Sequence, residues 1–229
     1  MLVVRTGILH VPELDVVAGE AVVELMAASG LRPLVVLERS VLSQRNWIAD
    51  LLCRWCDEEE LDLVLTIGGT LPAPGPSAKE IVPEATSEVI ERALPGLAEA
   101  MRAYAGEENM LALLERTQTG IRARTLIINL PAGAGPATLF LEGIVDVIGP
   151  VIGHLRGDTN APSLRDELER ASERQKNPER AHDSIGEEFV EDGSAGGQAE
   201  VPPTPSYGLS AADFAQFLER SKKNTAEDD

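Results

Sequence analysis

At 229 residues the chain is long enough for one α/β domain of about 150 residues plus an extension. Its net charge of -18, with no local concentration of Lys and Arg, excludes general affinity for nucleic acid, because an acidic surface repels a phosphate backbone. No apolar run approaches the roughly 18 residues of a bilayer span, and Met1-Leu2-Val3-Val4-Arg5 carries no charged leader, so a cytoplasmic protein without a membrane partner is expected.

Hydrophobic residues make up 43% of the chain but aromatics only 3%, so the core must come from Leu, Val, Ile and Ala, which suits buried parallel strands flanked by helices. In chain order, Leu2 to Val11 reads as a strand, Ala18 to Ser29 as a helix closed by Gly30, and Arg32 to Leu37 as a second strand. Asn46 to Glu58 reads as a helix, Leu61 to Ile67 as a third strand, and Pro83 to Met101 as a helix interrupted near Pro95-Gly96. Asn109 to Arg116 reads as a short helix, Thr125 to Leu130 as a fourth strand, and Thr138 to Leu155 as the closing helix. This alternation predicts a three-layer α/β/α domain with a mainly parallel sheet over residues 1 to 157, with ligands bound beyond the carboxyl ends of its strands.

From residue 158 to 229 the pattern gives way to an acidic tail, predicted to be mostly disordered between Asn177 and Pro205 for want of apolar residues. Leu164 to Gln175 reads as a charged helix. Ser210-Ala211-Ala212-Asp213 resembles a capping box and opens a short helix over 209 to 223, whose Leu209, Phe214, Phe217 and Leu218 serve either as a docking peptide or as packing against the domain.

The two cysteines, Cys53 and Cys56, fall inside a predicted helix. A redox pair normally sits where a strand meets a helix N-terminus, so the structural reading as small apolar side chains is favoured. None of His10, His154 and His182 has metal-motif spacing to them.

Chemistry concentrates at two strand ends. In Thr66-Ile67-Gly68-Gly69-Thr70 a glycine pair lets the backbone turn sharply and bring N-H groups to an anion, with the Thr70 hydroxyl as a further donor. The second junction is Leu126-Ile127-Ile128-Asn129-Leu130-Pro131, where Asn129 precedes the turn and Gly133 and Gly135 allow close backbone approach. With Pro83-Glu84-Ala85-Thr86 between them, these stretches resemble the molybdopterin-binding family that includes the MoaB and Mog molybdopterin adenylyltransferases. The resemblance spans about Leu2 to Gly157 and is densest from Asp62 to Pro131.

That resemblance implies a role in molybdenum cofactor biosynthesis or delivery, with molybdopterin or a related phosphorylated pterin as ligand and, in a catalytic member, magnesium and ATP. It implies phosphate or pterin binding by Gly68, Gly69, Thr70, Asn129, Pro131, Gly133 and Gly135. It also implies Lys79 and Glu80 as catalytic residues, Glu80 as magnesium ligand, a homotrimer or hexamer, and cofactor-assembly proteins as partners of the tail. For Lys79 and Glu80 a solvated pair at a helix start is an equal alternative.

The family pattern is kept at Gly68, Gly69 and Thr70 but departs at four chemical sites. Leu71 replaces a third glycine, and Pro72-Ala73-Pro74-Gly75-Pro76-Ser77-Ala78 lengthens the connection and removes N-H donors. Leu42-Ser43-Gln44 stands where acidic residues are usual, Pro131-Ala132-Gly133-Ala134-Gly135-Pro136 replaces Pro-Gly-Ser-Pro, and Pro12-Glu13-Leu14-Asp15 replaces a Ser-Asp pair. The expectation is a pterin-binding protein with a degraded catalytic site, and the alternative is an active magnesium- and ATP-dependent adenylyltransferase.

Overall fold

The computed structural model describes residues 2–75, 81–158 and 163–166. Lys79, Glu80, the 209 to 223 segment and most of Leu164 to Gln175 lie outside the described residues.

Six strands form one sheet: β1 Leu2–His10, β2 Leu31–Ser40, β3 Leu63–Ile67, β4 Arg92–Ala93, β5 Thr119–Arg122 and β6 Thr125–Leu130, in the order β2-β1-β3-β6-β5-β4. The first four in that order are parallel; at one edge β5 runs antiparallel to β6, and β4 antiparallel to β5. Among the described residues six helices cover it: α1 Val16–Ala28, α2 Arg45–Asp57, α3 Val82–Val89, α4 Pro95–Glu108, α5 Ala134–Glu142 and α6 Val145–Arg156. The architecture is three-layered, α/β/α.

Side-chain alternation along the strands divides the core in two. Leu63, Leu65 and Ile67 of β3 and Leu126, Ile128 and Leu130 of β6 face α1, α4, α5 and α6. Val64 and Ile127 face α2 and α3 with Leu9, Leu52, Trp55 and Val82. A strand buried on both faces shows no polar alternation, which is why Leu63-Val64-Leu65 is an unbroken apolar run. Gly7 serves the second face: a Cβ there would lie 2.9 Å from the Trp55 ring and 2.8 Å from Leu61 Cδ1.

Several expected elements are corrected. Pro83 to Met101 is not one interrupted helix but α3, the two-residue strand β4, and α4. Pro95 fixes the break, since the residue before a proline disfavours helix and Leu94 is non-helical. Asn109 to Arg116 contains only the 3-10 turn Met110–Leu114, and the strand β5 after it, absent from the four-strand expectation, joins β6 through a tight turn with Ala123 at φ 50. The closing helix is two helices. α5 begins earlier than Thr138 because Pro136 is acceptable in a first turn, where the N-H groups lack helical partners anyway, and the break falls at Gly143, whose Cβ would meet Tyr104 Cβ at 2.9 Å. No single helix among the described residues is long and apolar enough to cross a membrane.

Both cysteines lie within α2 and are free thiols, Cys56 buried and Cys53 half-buried. Burial pushes the Cys56 thiol up to about 12, with only partial opposition from a hydrogen bond to Thr125. At pH 8 iodoacetamide is expected to modify Cys53 first and Cys56 only on unfolding; equal rates under native conditions would contradict this packing. Because the folded value lies above the ordinary one of 9.0, this thiol's contribution is intact below pH 9.0 and declines as pH rises toward 12, which denaturant titrations at pH 8 and 10 would register.

Candidate functional site

The parallel strands β2, β1, β3 and β6 end level with one another, His10 beside both Ser40 and Ile67, and Ile67 beside Leu130. Hydrogen bonding continues one step past these ends. Val41 N-H donates to the His10 carbonyl at 3.0 Å, Val11 N-H to Ile67 at 2.9 Å, and Gly68 N-H to Leu130 at 2.9 Å. Four connections are thereby held side by side at the carboxyl edge: 11–15, 41–44, the Gly68-Gly69-Thr70 turn, and 131–133.

Gly68 and Gly69 adopt φ +97 and φ +70, in the left-handed half of conformational space that glycine occupies at little cost. Space enforces the choice as well. A Cβ on Gly68 would lie 2.2 Å from the Val11 carbonyl oxygen, and one on Gly69 2.6 Å from Val82 Cγ2. The need for positive φ stops there: non-glycine residues with positive φ are confined, among the described residues, to Glu60 and Ala123. Leu71 is therefore unstrained, and its side chain is 54% exposed.

Thr70 is 1% exposed, and its hydroxyl donates to Glu115 Oε2 at 2.6 Å. Arg116 N-H donates to the Thr70 carbonyl at 3.1 Å, so residues 115 and 116 are tied to both ends of the Thr70 unit. Burial raises the Glu115 carboxyl above the ordinary range, opposed by the Thr70 hydrogen bond. The Arg116 guanidinium pairs with Glu84 Oε1, while Glu84 Oε2 is buried without a hydrogen-bond partner among the described residues. An open cleft of about 540 Å³ follows, lined by Arg45, Pro83, Glu84, Ser87, Glu88, Arg116 and Gln118, with Arg45 Nε donating to Glu88 at 2.9 Å.

Asn129 is fully buried and faces α3. Its amide nitrogen donates to Thr66 Oγ1 at 2.8 Å and Thr86 Oγ1 at 2.9 Å, and its amide oxygen accepts the Gln118 N-H at 3.2 Å. One side chain thus fastens the strand before the glycine turn to the helix after it and to the β5 edge. Pro131 is buried, Gly133 takes φ +87 as the cap before α5, and Gly135 is exposed in the first turn of that helix, which has no side-chain cap. The site residues expected from sequence are thus gathered at one edge, except Asn129, whose polar atoms are engaged inside the sheet, and Lys79 and Glu80, which lie outside the described residues. Nothing in the sequence singles out Glu115 and Arg116, because a charged pair ending a predicted helix looks like solvated surface, and Glu84 stands out only as part of Pro83-Glu84-Ala85-Thr86.

Magnesium takes hard oxygen ligands, and among the described residues no three His, Cys, Asp or Glu side chains converge to hold an ion. Leu42-Ser43-Gln44 leads into α2 with all three residues exposed and no carboxylate, and Asp15 is occupied as the cap of α1, accepting Ala18 N-H at 3.0 Å. The described residues do not by themselves fit a magnesium site.

Residues 19–154 match a family described as "Probable molybdopterin binding domain". The chain is 37% identical over 131 residues to the molybdopterin adenylyltransferase of Helicobacter pylori, covering 57% of this chain and 72% of that one. With the enzyme of the same name from Escherichia coli K12 it is 34% identical over 134 residues, covering 58% and 67%. Among solved structures, the molybdopterin biosynthesis enzyme MoaB of Thermus thermophilus superposes with a TM-score of 0.60 at 34% identity, over 68% of this chain and 98% of that one. The Mog protein of Mycobacterium ulcerans gives 0.56 at 26% identity, over 66% and 98%. Since the matched span exceeds half of the residues and carries the Gly68-Gly69-Thr70 junction, the chain belongs to the molybdopterin-binding family of the MoaB and Mog proteins.

Proposed function

We propose that this protein binds molybdopterin, or a related phosphorylated pterin, at the carboxyl edge of its sheet and serves molybdenum cofactor biosynthesis or delivery with a degraded adenylyl-transfer site. The Gly68-Gly69-Thr70 turn carries the reading: two positive-φ glycines at a parallel strand end, beside the capless N-terminus of α5, form a surface suited to a phosphate. Gly133 and Gly135 let the second connection approach the same ligand, and Asn129 acts by holding the turn rather than by touching phosphate. The degraded part rests on chemistry. Leu42-Ser43-Gln44 offers no anionic group, and the second loop lacks a serine hydroxyl, so the charge neutralisation needed in nucleotidyl transfer is depleted.

A second reading, magnesium- and ATP-dependent adenylyl transfer to molybdopterin, draws support from the names of relatives at 37% and 34% identity. In that reading Glu80 supplies the remaining magnesium carboxylate and Lys79 steers the phosphate. Glu80→Gln would then lower transfer on the order of 100-fold, and Gln44→Asp would raise it. Under the preferred reading neither change matters, so the pair of variants in a transfer assay separates the two. We further propose residues 1 to 157 as the folding domain, assembling as a homotrimer or dimer of trimers, with the acidic tail free for cofactor-assembly partners. Light scattering of the full chain is expected to give the mass of three or six copies, and a monodisperse monomer would contradict it.

A further inference from the structure

Resting on the phosphate-binding reading of the Gly68-Gly69-Thr70 turn, we propose that Glu115 is a specificity-determining residue: its carboxylate occupies the Thr70 hydroxyl when no ligand is bound and makes the turn discriminate against bare, fully ionised phosphate. A threonine hydroxyl has one proton to donate. At 2.6 Å from Glu115 Oε2 that proton is committed, and Thr70 is 1% exposed, so a ligand oxygen reaches it only by taking the carboxylate's place. Until it is displaced, the carboxylate also sets a like charge against an incoming anion in surroundings already short of water, where such repulsion is strongest.

Displacement is feasible because Glu115 ends a weakly held segment. The preceding 3-10 turn Met110–Leu114 contains no buried residue, and Met110, Leu111, Leu113 and Leu114 are each at least half exposed. Glu115 N-H is held locally by the Ala112 carbonyl at 3.1 Å, and the link to the sheet runs through Arg116 N-H to Thr70. The side chain can therefore swing away while the backbone tie at Thr70 persists. The raised carboxyl of Glu115 agrees with this placement, since its surroundings already disfavour one negative charge. Discrimination thus comes from an internal anion that a poorly matched ligand cannot displace.

The test is calorimetric titration of the full chain with inorganic pyrophosphate at pH 8 in the presence of a chelator. Glu115→Gln keeps the size of the side chain and an acceptor for the Thr70 hydroxyl but removes the charge; Glu115→Ala removes both. Each is expected to bind pyrophosphate about tenfold or more tightly than the unaltered protein. Adding Thr70→Val to Glu115→Ala should erase most of the gain. Equal affinity in all proteins, weaker binding by the Glu115 variants, or a gain that survives Thr70→Val would overturn the proposal while leaving the phosphate-binding reading in place. No binding by any of them would overturn that reading and this proposal together. Should Glu115→Ala fail to fold, Glu115→Gln alone decides the charge effect.

Discussion

Replacing Gly68 by Ala is expected to lower the unfolding free energy by about 3 kcal/mol or more and to abolish phosphate binding in the fraction that remains folded. Two costs combine. The residue sits at φ +97, which a side chain resists, and its Cβ would lie 2.2 Å from the Val11 carbonyl oxygen, a backbone atom that cannot rotate away. Relief requires either the Val11 connection or the turn to move, and both border the site. Val11 N-H and Gly68 N-H carry the last rungs joining β1, β3 and β6, so movement there also unpicks the sheet at its carboxyl edge. For a domain of this size the midpoint of thermal unfolding should fall by about 6 °C or more. Gly135→Ala is the matched control: its φ is not positive and no atom lies within 4 Å of its Cβ position, so its midpoint should barely move. Similar small shifts for both variants would show that the turn is not constrained as described.

The second large effect lies at the opposite end of the sheet. Asp62 is 4% exposed, accepts the Arg5 backbone N-H at 2.7 Å, and receives a two-pronged contact from Arg156, whose Nε lies 2.8 Å from Oδ1. Arg156 also donates to the Val3 carbonyl at 2.7 Å, so one acidic side chain fixes the end of α6 to the start of β1. Asp62→Ala leaves a main-chain donor and a guanidinium without their acceptor, and is expected to cost about 3 kcal/mol. Removing both partners should cost less than the sum of the single changes, because Asp62→Ala/Arg156→Ala strands no charge. Ligand binding per folded molecule should be unchanged, since the network sits at the amino ends of the strands. A loss below about 0.5 kcal/mol in denaturant titration would mean that the pair contributes nothing net.

What could be read from the sequence follows from how many residues encode each feature. The buried strands β1, β3 and β6 and the helices α1 and α2 announce themselves through runs of Leu, Val and Ile, and their ends place the glycine turn where the structure has it. β4 has two residues and β5 four, too few for any periodicity, and their pairing is set by neighbours distant in sequence. Gly143 reads as tolerable within a helix until its contact with Tyr104 is seen. At the site, Gly68 and Gly69 were legible because only glycine meets their geometry. Glu115 and Arg116 were not, since their partners Thr70 and Glu84 are 45 and 32 residues away. Asn129 stands out in the sequence only as the residue before the second turn, and its partners Thr66, Thr86 and Gln118 emerge only when the strands are assembled.

The central claim, a phosphorylated-pterin site with adenylyl transfer largely lost, is tested most directly by one assay. The unmodified full chain is incubated with molybdopterin and magnesium ATP, bound pterin is separated from free, and adenylylated molybdopterin is measured in both fractions. The account predicts that molybdopterin is retained by the protein and that adenylylated product stays near the level without protein. Robust, magnesium-dependent formation of adenylylated molybdopterin would contradict it.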